Sequence, residues 1–435
     1  MKKCSIILLL ILLPTLVMAQ ASGEQITRPV SKQQTGIKPT NGNSEQKVVR
    51  EVTYESTLSA EEKRIWDEEK AKAREGMRIL ANKLKSQGLE PTTFGGFSEG
   101  LAWCMNKNRE ICCIDRKGNI LFSLPAQISK VRLFKNGFAV VERGVFDANG
   151  SRVRGNVGVI DKKGNMIVPF GKYWIISDYS EGIFFAVSNN KCCGYINEKG
   201  NIVIPFIYEA EMGYGHDDID DHSFHEGLAC IKKDGKYGYV DKEGSVVIPP
   251  IYQSAHRFSE GIAAVEKDGK TGYIDKNGQI VIPFISGIWT AYNFNCGLAK
   301  IINRQIRFID SKGTTVINTT LRSDEYNISD RFSEDLIAIC PNGYKSKKWG
   351  YMNKQGKVVI PGKYSTAADF SEGLAFVCRN GYSGFINKKG QVVIPFKFHN
   401  DFYVGMSFKD GIAPICHNDK WGYVDKYGNS TFDFE

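Results

Sequence analysis

The chain has 435 residues, of which 42% are hydrophobic and 24% charged, and its formal net charge is +9. These values are those of an ordinary globular protein, and they exclude a collagen-like, disordered or polytopic membrane chain. The charge is too mild and too evenly spread to indicate nucleic acid binding. The 44 glycines, 19 tyrosines and 25 phenylalanines favour many short strands joined by glycine turns.

Residues 1–19 have the pattern of a secretory signal peptide. Lys2 and Lys3 precede an apolar run from Ser5 to Val17, and Ala19 supplies the small residue at the cleavage position. We therefore expect export, with the mature protein in the periplasm, on the cell surface or outside the cell. The apolar run is too short to span a bilayer, so we do not expect a transmembrane protein.

Residues 20–58 are polar and predict a disordered linker. A helix is predicted over 59–88, because Ser59 and Glu62 form a capping box and Gly88 is placed to end it. Its apolar stripe predicts either packing over the exposed end of the following domain or the seam of a homo-oligomer. The stripe consists of Ile65, Trp66, Ala73, Met77, Leu80 and Leu84.

The region 97–435 is a domain built from a repeated unit, and nine copies of the unit are recognisable. A turn position marks each copy in order: Gly100, Gly137, Gly182, Gly227, Gly261, Gly297, Asp335, Gly373 and Gly411. A second motif ends in Asp or Asn with a glycine three residues later, the pattern of a type I turn. The unit is therefore one small β motif joined by two kinds of turn.

Three short strands are predicted for each unit, as at 228–231, 237–240 and 246–248, with Pro249 ending the third. One such antiparallel meander cannot bury its apolar face alone, so neighbouring units must stack. Because most units have three clear strands in 34 to 38 residues, we expect an open, twisted array. The alternative is a closed propeller-like ring, in which a fourth strand lies in the variable connection before each turn.

The second strand of the unit resembles the WG (KWG) repeat family, which is named for a Trp-Gly pair. The pair is complete at Trp349-Gly350 and Trp421-Gly422 and relaxed at Tyr237-Gly238, while Cys112, Val157 and Arg307 mark units that depart from it. The resemblance covers about residues 97–429 and implies β-repeat modules of exported bacterial proteins, without a shared catalytic constellation. The residues expected to build the repeat are Gly227, Gly238, Gly261, Gly272, Trp349, Gly350, Gly373, Trp421 and Gly422.

An insertion at 211–225 is the segment most like a ligand site. It combines histidine and aspartate side chains, which are ligands for Zn²⁺ or Ca²⁺, but their spacing matches no known signature. A solvated acidic loop is the other interpretation. The candidate ligands are His216, Asp217, Asp218, Asp220, Asp221 and His222.

Two stripes of charge are predicted along the stacked units. An acid precedes the turn position in seven units, including Glu260 and Glu372, and Lys or Arg recurs in the hairpin turns. The stripes are either a binding surface or solvated turns that discourage edge pairing. Trp174 and Trp289, in the variable connections, are candidates for stacking on sugar rings or peptide side chains.

Ten cysteines remain after the predicted signal cleavage. We expect partly buried thiols, and the alternative is a disulfide between neighbouring units. Vicinal Cys112-Cys113 and Cys192-Cys193 lie on predicted strands, where adjacent residues face opposite sides and are poorly aimed at one metal.

These patterns predict an exported, non-enzymatic binding or scaffold protein without a cofactor. Its repeated β surface would engage a protein or a cell-envelope polysaccharide, and not nucleic acid. The alternative is an envelope enzyme or metal-binding protein centred on 211–225.

Overall fold

The computed structural model describes residues 52–92, 96–144, 156–210, 222–322, 328–340, 348–399 and 406–434. These residues form one α-helix, 32 short strands and two short 3-10 helices. The described residues all belong to the unit Glu51–Glu435. None of their helices is long and apolar enough to cross a membrane.

Helix α1, Ala60–Gln87, has the predicted ends. The Ser59 hydroxyl accepts the Glu62 N–H at 3.3 Å, the Glu62 carboxylate accepts the Ser59 N–H at 2.8 Å, and Gly88 ends the helix at φ 62°. Met77, Leu80, Ala81 and Leu84 are buried. The preceding residues differ from the predicted linker, because Glu55–Thr57 form a 3-10 helix and Tyr54 packs on Trp66 at 5.1 Å.

The strands form nine antiparallel sheets in chain order, which we number as units one to nine. Unit one contains β1 Glu90–Pro91, β2 Leu101–Met105, β3 Ile111–Asp115 and β4 Ile120–Ser123. Unit two contains β5 Ile128–Val131, β6 Phe138–Arg143, β7 Val157–Asp161 and β8 Met166–Val168. Unit three contains β9 Ile175–Ile176, β10 Ile183–Val187, β11 Cys192–Asn197 and β12 Ile202–Glu209.

The middle units repeat this plan. Unit four contains β13 Ala229–Lys233, β14 Lys236–Val240 and β15 Val246–Tyr252. Unit five contains β16 Ser254–Ala255, β17 Ile262–Lys267, β18 Lys270–Asp275 and β19 Ile280–Ser286. Unit six contains β20 Thr290–Ala291, β21 Ala299–Ile302, β22 Gln305–Ile309 and β23 Thr315–Arg322.

The last three units are more varied. Unit seven contains β24 Leu336–Ile339, β25 Trp349–Asn353 and β26 Val358–Tyr364. Unit eight contains β27 Thr366–Ala367, β28 Leu374–Arg379, β29 Tyr382–Asn387 and β30 Val392–His399. Unit nine contains β31 Ile412–His417 and β32 Lys420–Asp425, followed by a 3-10 helix, Thr431–Phe434. Most units thus have a short fourth strand, and it lies in the variable connection where the ring alternative placed it.

The third strand does not end at its proline. In unit four, β15 continues through Pro249 to Tyr252, and the register shifts so that Pro249, Pro250 and Ile251 lie opposite Gly238 alone. The prediction that proline stops this strand was wrong, because the strand lies at a sheet edge, where a missing N–H costs no ladder bond.

The predicted hairpin turns are present. In unit four the Gly244 N–H donates to the Asp241 carbonyl at 3.1 Å, while the Asp241 carboxylate accepts the N–H groups of Glu243 and Ser245. Gly244 has φ 84°, as the type I pattern followed by a left-handed residue requires.

The nine units close into a ring. Nine hydrophobic clusters lie between neighbouring sheets, one at each junction, and the ninth joins unit nine to unit one. At that junction Phe97 and Tyr423 pack with ring centroids 5.0 Å apart, and Asp410 accepts the Gly100 N–H at 2.8 Å. The expected open array was therefore wrong, and the alternative, a closed propeller-like ring, is the observed architecture.

Helix α1 completes the closing junction. In units four and five, the hairpin glycine packs against an isoleucine side chain from the third strand of the preceding unit, as Gly278 packs against Ile248. In unit one the equivalent Gly118 rests on Leu80 of α1. The helix therefore occupies the place of a third strand, which the described residues of unit nine do not contain.

Candidate interaction surfaces

The turn that opens each unit has a strained geometry. In unit five Ser259 and Ile262 exchange both backbone hydrogen bonds, at 3.0 and 3.3 Å, while Glu260 and Gly261 have φ 56° and 86°. This is the type I′ pattern, with both central residues left-handed. A side chain at such a position costs about 1–2 kcal/mol, so an acidic residue here needs a compensating interaction.

The compensation comes from the next unit. The Glu260 carboxylate accepts the Gly297 N–H at 2.9 Å, and the Glu372 carboxylate accepts the Gly411 N–H at 2.9 Å. The carboxylates of Glu99, Glu181, Glu226 and Glu334 bond the next turn residue in the same way. Glu260 and Glu372, predicted as binding residues, are thus held in hydrogen bonds between units.

The second charge stripe joins the same contacts. Lys242 lies 3.2 Å from Glu181 of the preceding unit, and equivalent pairs are Lys162–Glu99, Lys276–Glu226, Lys388–Glu334 and Lys426–Glu372. Partial burial raises the pKa of Glu181, but the N–H groups of Gly227 and Glu226 and the Lys242 ammonium outweigh burial and lower its pKa overall. The two stripes therefore link neighbouring units.

Two junctions lack the carboxylate. Asn136 of unit two donates from Nδ2 to the Tyr179 carbonyl at 3.2 Å, and the Cys296 thiol of unit six lies 3.9 Å from the Phe332 carbonyl. Both residues keep the positive φ of the turn. The turn geometry is therefore common to units that differ in their charge contacts.

The two candidate tryptophans have different surroundings. Trp174 is partly buried against the core between units three and four, whereas the Trp289 side chain is 64% exposed. Only Trp289 is thus open to a ligand along most of its surface.

Five of the six predicted metal ligands lie outside the described residues: His216, Asp217, Asp218, Asp220 and Asp221. His222 is described and buried, with Nδ1 2.9 Å from the Cys230 carbonyl and its ring stacked on Phe185 at 5.3 Å. The structure therefore places this imidazole in the core between units three and four. Across the described ranges no group of three or more His, Cys, Asp or Glu side chains is placed to hold a metal ion.

The ten cysteines of the described residues are thiols, and eight of them are buried. Cys112 and Cys113 belong to different clusters on opposite faces of β3, as predicted for adjacent strand residues. Burial raises the pKa of the Cys104 and Cys378 thiols to about 12. Such thiols remain protonated at neutral pH and are poor nucleophiles.

An apolar surface lies on the third strands of units three to five. Each third strand is a sheet edge, and its outward side chains are aliphatic and exposed, up to 60% at Ile280 and Ile207. We call this set the edge surface: Ile202, Val203, Ile207, Val246, Val247, Ile251, Ile280, Val281 and Ile285. In units seven and eight the position of Ile207, Ile251 and Ile285 holds Lys363 and Lys397 instead.

Unit eight shows how such an edge is covered. Thr53 pairs with Val392 in a parallel bridge, in which the Tyr54 N–H donates to the Val392 carbonyl at 2.8 Å. Val392 and Val393 are 5% and 9% exposed, whereas the equivalent Val246 is 51% exposed. Thr53 pairs with this strand edge, and Tyr54 and Trp66 of α1 pack on the cluster that contains Val393.

The edge surface was missed by sequence reasoning. Val-Val-Ile and Ile-Val-Ile runs have no polar face, so they predict a strand without indicating which of its side chains are exposed. Their recurrence at a predicted sheet edge, with lysine at the matching position in two other units, was the available signal.

Seven matches to the family model described as WG containing repeat fall within the ring, at residues 158–192, 194–213, 217–237, 237–270, 272–303, 349–382 and 384–421. The chain belongs to the WG repeat family, and its repeat builds an all-β ring of small antiparallel sheets. No curated protein matches the chain in sequence.

Two solved structures that the chain resembles are distant in sequence. The computationally designed Ika8 protein is 15% identical with a TM-score of 0.41, over 70% of this chain and 95% of that chain. BamB from Moraxella catarrhalis is 10% identical with a TM-score of 0.39, over 77% of this chain and 97% of that chain. TM-scores this low carry no inference about this protein.

Proposed function

We propose that the protein is an exported, non-enzymatic binding scaffold whose partner docks on the edge surface of units three to five. The WG repeat ring supports a repeat-based binding or scaffold protein in general. The observation that carries the specific proposal is the contrast between units four and eight. The same Val-Val pair is exposed in one and buried in the other, where Thr53 pairs with the strand edge.

A protein partner suits this surface better than a polysaccharide. Aliphatic side chains beside a sheet edge offer apolar contact and backbone pairing, which an extended peptide segment uses and a sugar chain does not. A polysaccharide would depend on exposed aromatic rings, of which Trp289 is the candidate. The proposal that the protein is exported rests on the pattern of residues 1–19.

The other hypotheses find less support among the described residues. A homo-oligomer seam through α1 would need Met77, Leu80 and Leu84, which are buried in the closing junction. Of the six candidate metal ligands at 211–225, the one that is described, His222, is packed in the core.

The test uses substitutions that the chain already tolerates elsewhere. In the triple variant Ile207→Lys, Ile251→Lys and Ile285→Lys, each edge receives the residue found in units seven and eight, so the ring is expected to fold. The immobilised wild type and the variant are compared for proteins captured from envelope extract. We expect the variant to retain at least tenfold less of the wild-type partner.

The matched control is Ile65→Lys with Ile79→Lys, at two exposed positions on α1. It should capture the partner as the wild type does. Equal capture by the triple variant would contradict the proposal, as would a wild type that captures no protein above the level of an uncoupled resin.

A further inference from the structure

Unit eight shows which backbone groups of a third strand face outward. The Val392 N–H donates to the Val52 carbonyl at 3.2 Å, and the Val392 carbonyl accepts the Tyr54 N–H at 2.8 Å. Val392 is the first residue of β30 and lies opposite Ile386 of the second strand. Both hydrogen-bonding groups of this one residue are therefore used by a segment outside the sheet.

The same backbone groups face outward in unit four. The Asp241 N–H donates to the Ser245 carbonyl at 3.0 Å and closes the hairpin turn. Antiparallel ladders alternate between hydrogen-bonded and non-hydrogen-bonded pairs, so the next pair, Val240–Val246, is not hydrogen-bonded. The Val246 N–H and carbonyl consequently point away from β14, toward the open side of the strand.

Ile202 and Ile280 hold the position of Val246 in units three and five. Each is the first residue of its third strand, in the same register and after a turn closed by the same bond. In the part of the chain that the structure describes, no group bonds the outward N–H or carbonyl of these three residues. Ile202, Val246 and Ile280 are 58%, 51% and 60% exposed. The hairpin turns beside them are described in full: 197–201, 241–245 and 275–279.

The segment on unit eight also carries an aromatic side chain. Tyr54 follows the pairing residue Thr53 and packs, together with Trp66 of α1, on the cluster that contains Val393. Val393 is 9% exposed, whereas its equivalent in unit four, Val247, is 40% exposed. An aromatic residue directly after the pairing residue therefore has an apolar surface to pack on in the open units.

An extended peptide matches these outward groups. It supplies a carbonyl and, two residues later, an N–H, as Val52 and Tyr54 do for Val392. The bridge at Thr53 is parallel, so the segment runs in the direction of β30. In the described chain 52–54 is already paired with its own unit eight, so the segment for units three to five comes from a different protein.

We propose that the partner binds by adding an extended segment, in the parallel direction, to a third strand of units three to five. A carbonyl of the segment accepts the N–H of Ile202, Val246 or Ile280. The residue two positions later is aromatic, and its N–H donates to the carbonyl of the same strand residue. This inference rests on the proposed function, because it names the kind of partner that the edge surface takes.

The probe is a labelled, end-capped peptide with the sequence of 48–56, Val-Val-Arg-Glu-Val-Thr-Tyr-Glu-Ser, added to the full chain. We expect saturable binding in fluorescence anisotropy. An ester oxygen in place of the tyrosine N–H removes one hydrogen bond and should weaken binding about fivefold. Alanine in place of the tyrosine should weaken it about tenfold. A wild-type chain that does not bind the peptide, or that binds it no better than its ester or a peptide of reversed sequence, would overturn the proposal.

Two triple variants locate the site. Ile202→Pro, Val246→Pro and Ile280→Pro together remove the three outward N–H groups, and proline as the first residue of an edge strand costs no ladder bond. The matched control is Ile202→Thr, Val246→Thr and Ile280→Thr, which keeps the N–H groups and introduces the residue that unit six has there, Thr315. The proline variant should bind the peptide about fivefold more weakly than the threonine variant. Equal binding by the two variants would overturn the proposal, and if the proline variant fails to fold, the ester peptide decides.

Capture from envelope extract separates this inference from the proposed function. We expect the partner to be lost in the triple lysine variant and in the proline variant, and kept in the threonine variant. Loss in the triple lysine variant with equal capture by the proline and threonine variants would overturn this inference and leave the proposed function standing. Capture by the triple lysine variant at the wild-type level would contradict the proposed function, and this inference with it.

Discussion

An acidic residue at positive φ marks the start of seven of the nine units, from Glu99 at φ 55° to Asp410 at φ 54°. Glycine or asparagine would be less strained in this position. The acid has a physical role there because its carboxylate bonds the next turn, and at Asp410 the next turn is Gly100 of unit one. Each turn is thus strained in its own unit and stabilised by contact with another.

Acid should weaken these junctions. Burial raises the pKa of Glu99 and Glu181, but the N–H groups and the Lys162 and Lys242 ammonium groups outweigh it and lower both pKa values below 4.5. A lowered folded-state pKa gives stability that is present above the unfolded value and lost as pH falls through the folded value. We expect the melting temperature to fall between pH 5 and about pH 3, with a smaller fall in the double variant Glu99→Gln, Glu181→Gln.

At pH 7 this double variant should lose up to about 1 kcal/mol of unfolding free energy per site, the range of partly exposed ion pairs. The control is Glu198→Gln with Glu243→Gln, two exposed acids in hairpin turns, which makes the same change in net charge. If both double variants showed the same pH dependence, the carboxylates at the turns would have no special role.

The sequence predicted the columns of acids and lysines but not what they contact. Spacing shows that Glu181 and Lys242 recur in the repeat, and it places both in turns. Whether the two turns meet depends on how far one unit is rotated against the next, and that rotation is set by core packing between sheets. Their contact is therefore a property of the ring and not of the unit.

The Trp-Gly pair has a structural explanation in the third strand. That strand bulges at its Ile-Pro segment and approaches the backbone of the second strand closely. A Cβ atom on Gly238 would lie 2.5 Å from the Ile248 carbonyl oxygen and 2.7 Å from the Pro250 nitrogen. Glycine is therefore required for close approach, and the same contact recurs at Gly272 and Gly384.

Gly238→Ala should destabilise the protein. The added methyl group meets backbone atoms that cannot move without shifting β15, so we expect a loss of about 1–3 kcal/mol, typical of overpacking. Denaturant unfolding measures the change.

The control for this substitution is Gly76→Ala in α1, where a Cβ atom would meet nothing within 4 Å. It should raise stability by up to about 1 kcal/mol, because alanine is the better helix former. A Gly238→Ala protein as stable as the wild type would show that the bulge adapts and that the glycine serves another purpose.

Helix α1 was predicted correctly from its capping box, and its packing on the following domain was one of the two predicted alternatives, but its place at the closing junction was not predicted. The apolar stripe indicates that Leu80 and Leu84 pack on something, and the sequence offers nine sheets and other chains as candidates. Gly118 lies against Leu80 and Lys83 of α1, whereas the hairpin glycines of units four to nine lie against an isoleucine of a third strand.

The described part of the unit Glu51–Glu435 is a closed ring because its last sheet packs on its first. The prediction of an open array rested on unit length, and the units looked too short for four strands. Several of the fourth strands, which were not assigned from the sequence, are only two residues long, as in Thr366–Ala367. Such short strands have no periodic pattern of apolar residues. The number of units and the plan of each unit could thus be predicted, whereas closure depends on packing between units.

A double-mutant cycle on Phe97 and Tyr423 tests closure most directly, because these residues are distant in sequence and touch only in a closed ring. Phe97→Leu, Tyr423→Leu and the double variant are compared by denaturant unfolding, beside the same cycle on Tyr239 and Phe258 between units four and five. Ring centroids are 5.0 Å apart in the first pair and 4.8 Å in the second. We predict coupling of about 0.5–1.5 kcal/mol in both cycles. Coupling in the Tyr239–Phe258 cycle with none in the Phe97–Tyr423 cycle would contradict the closed ring.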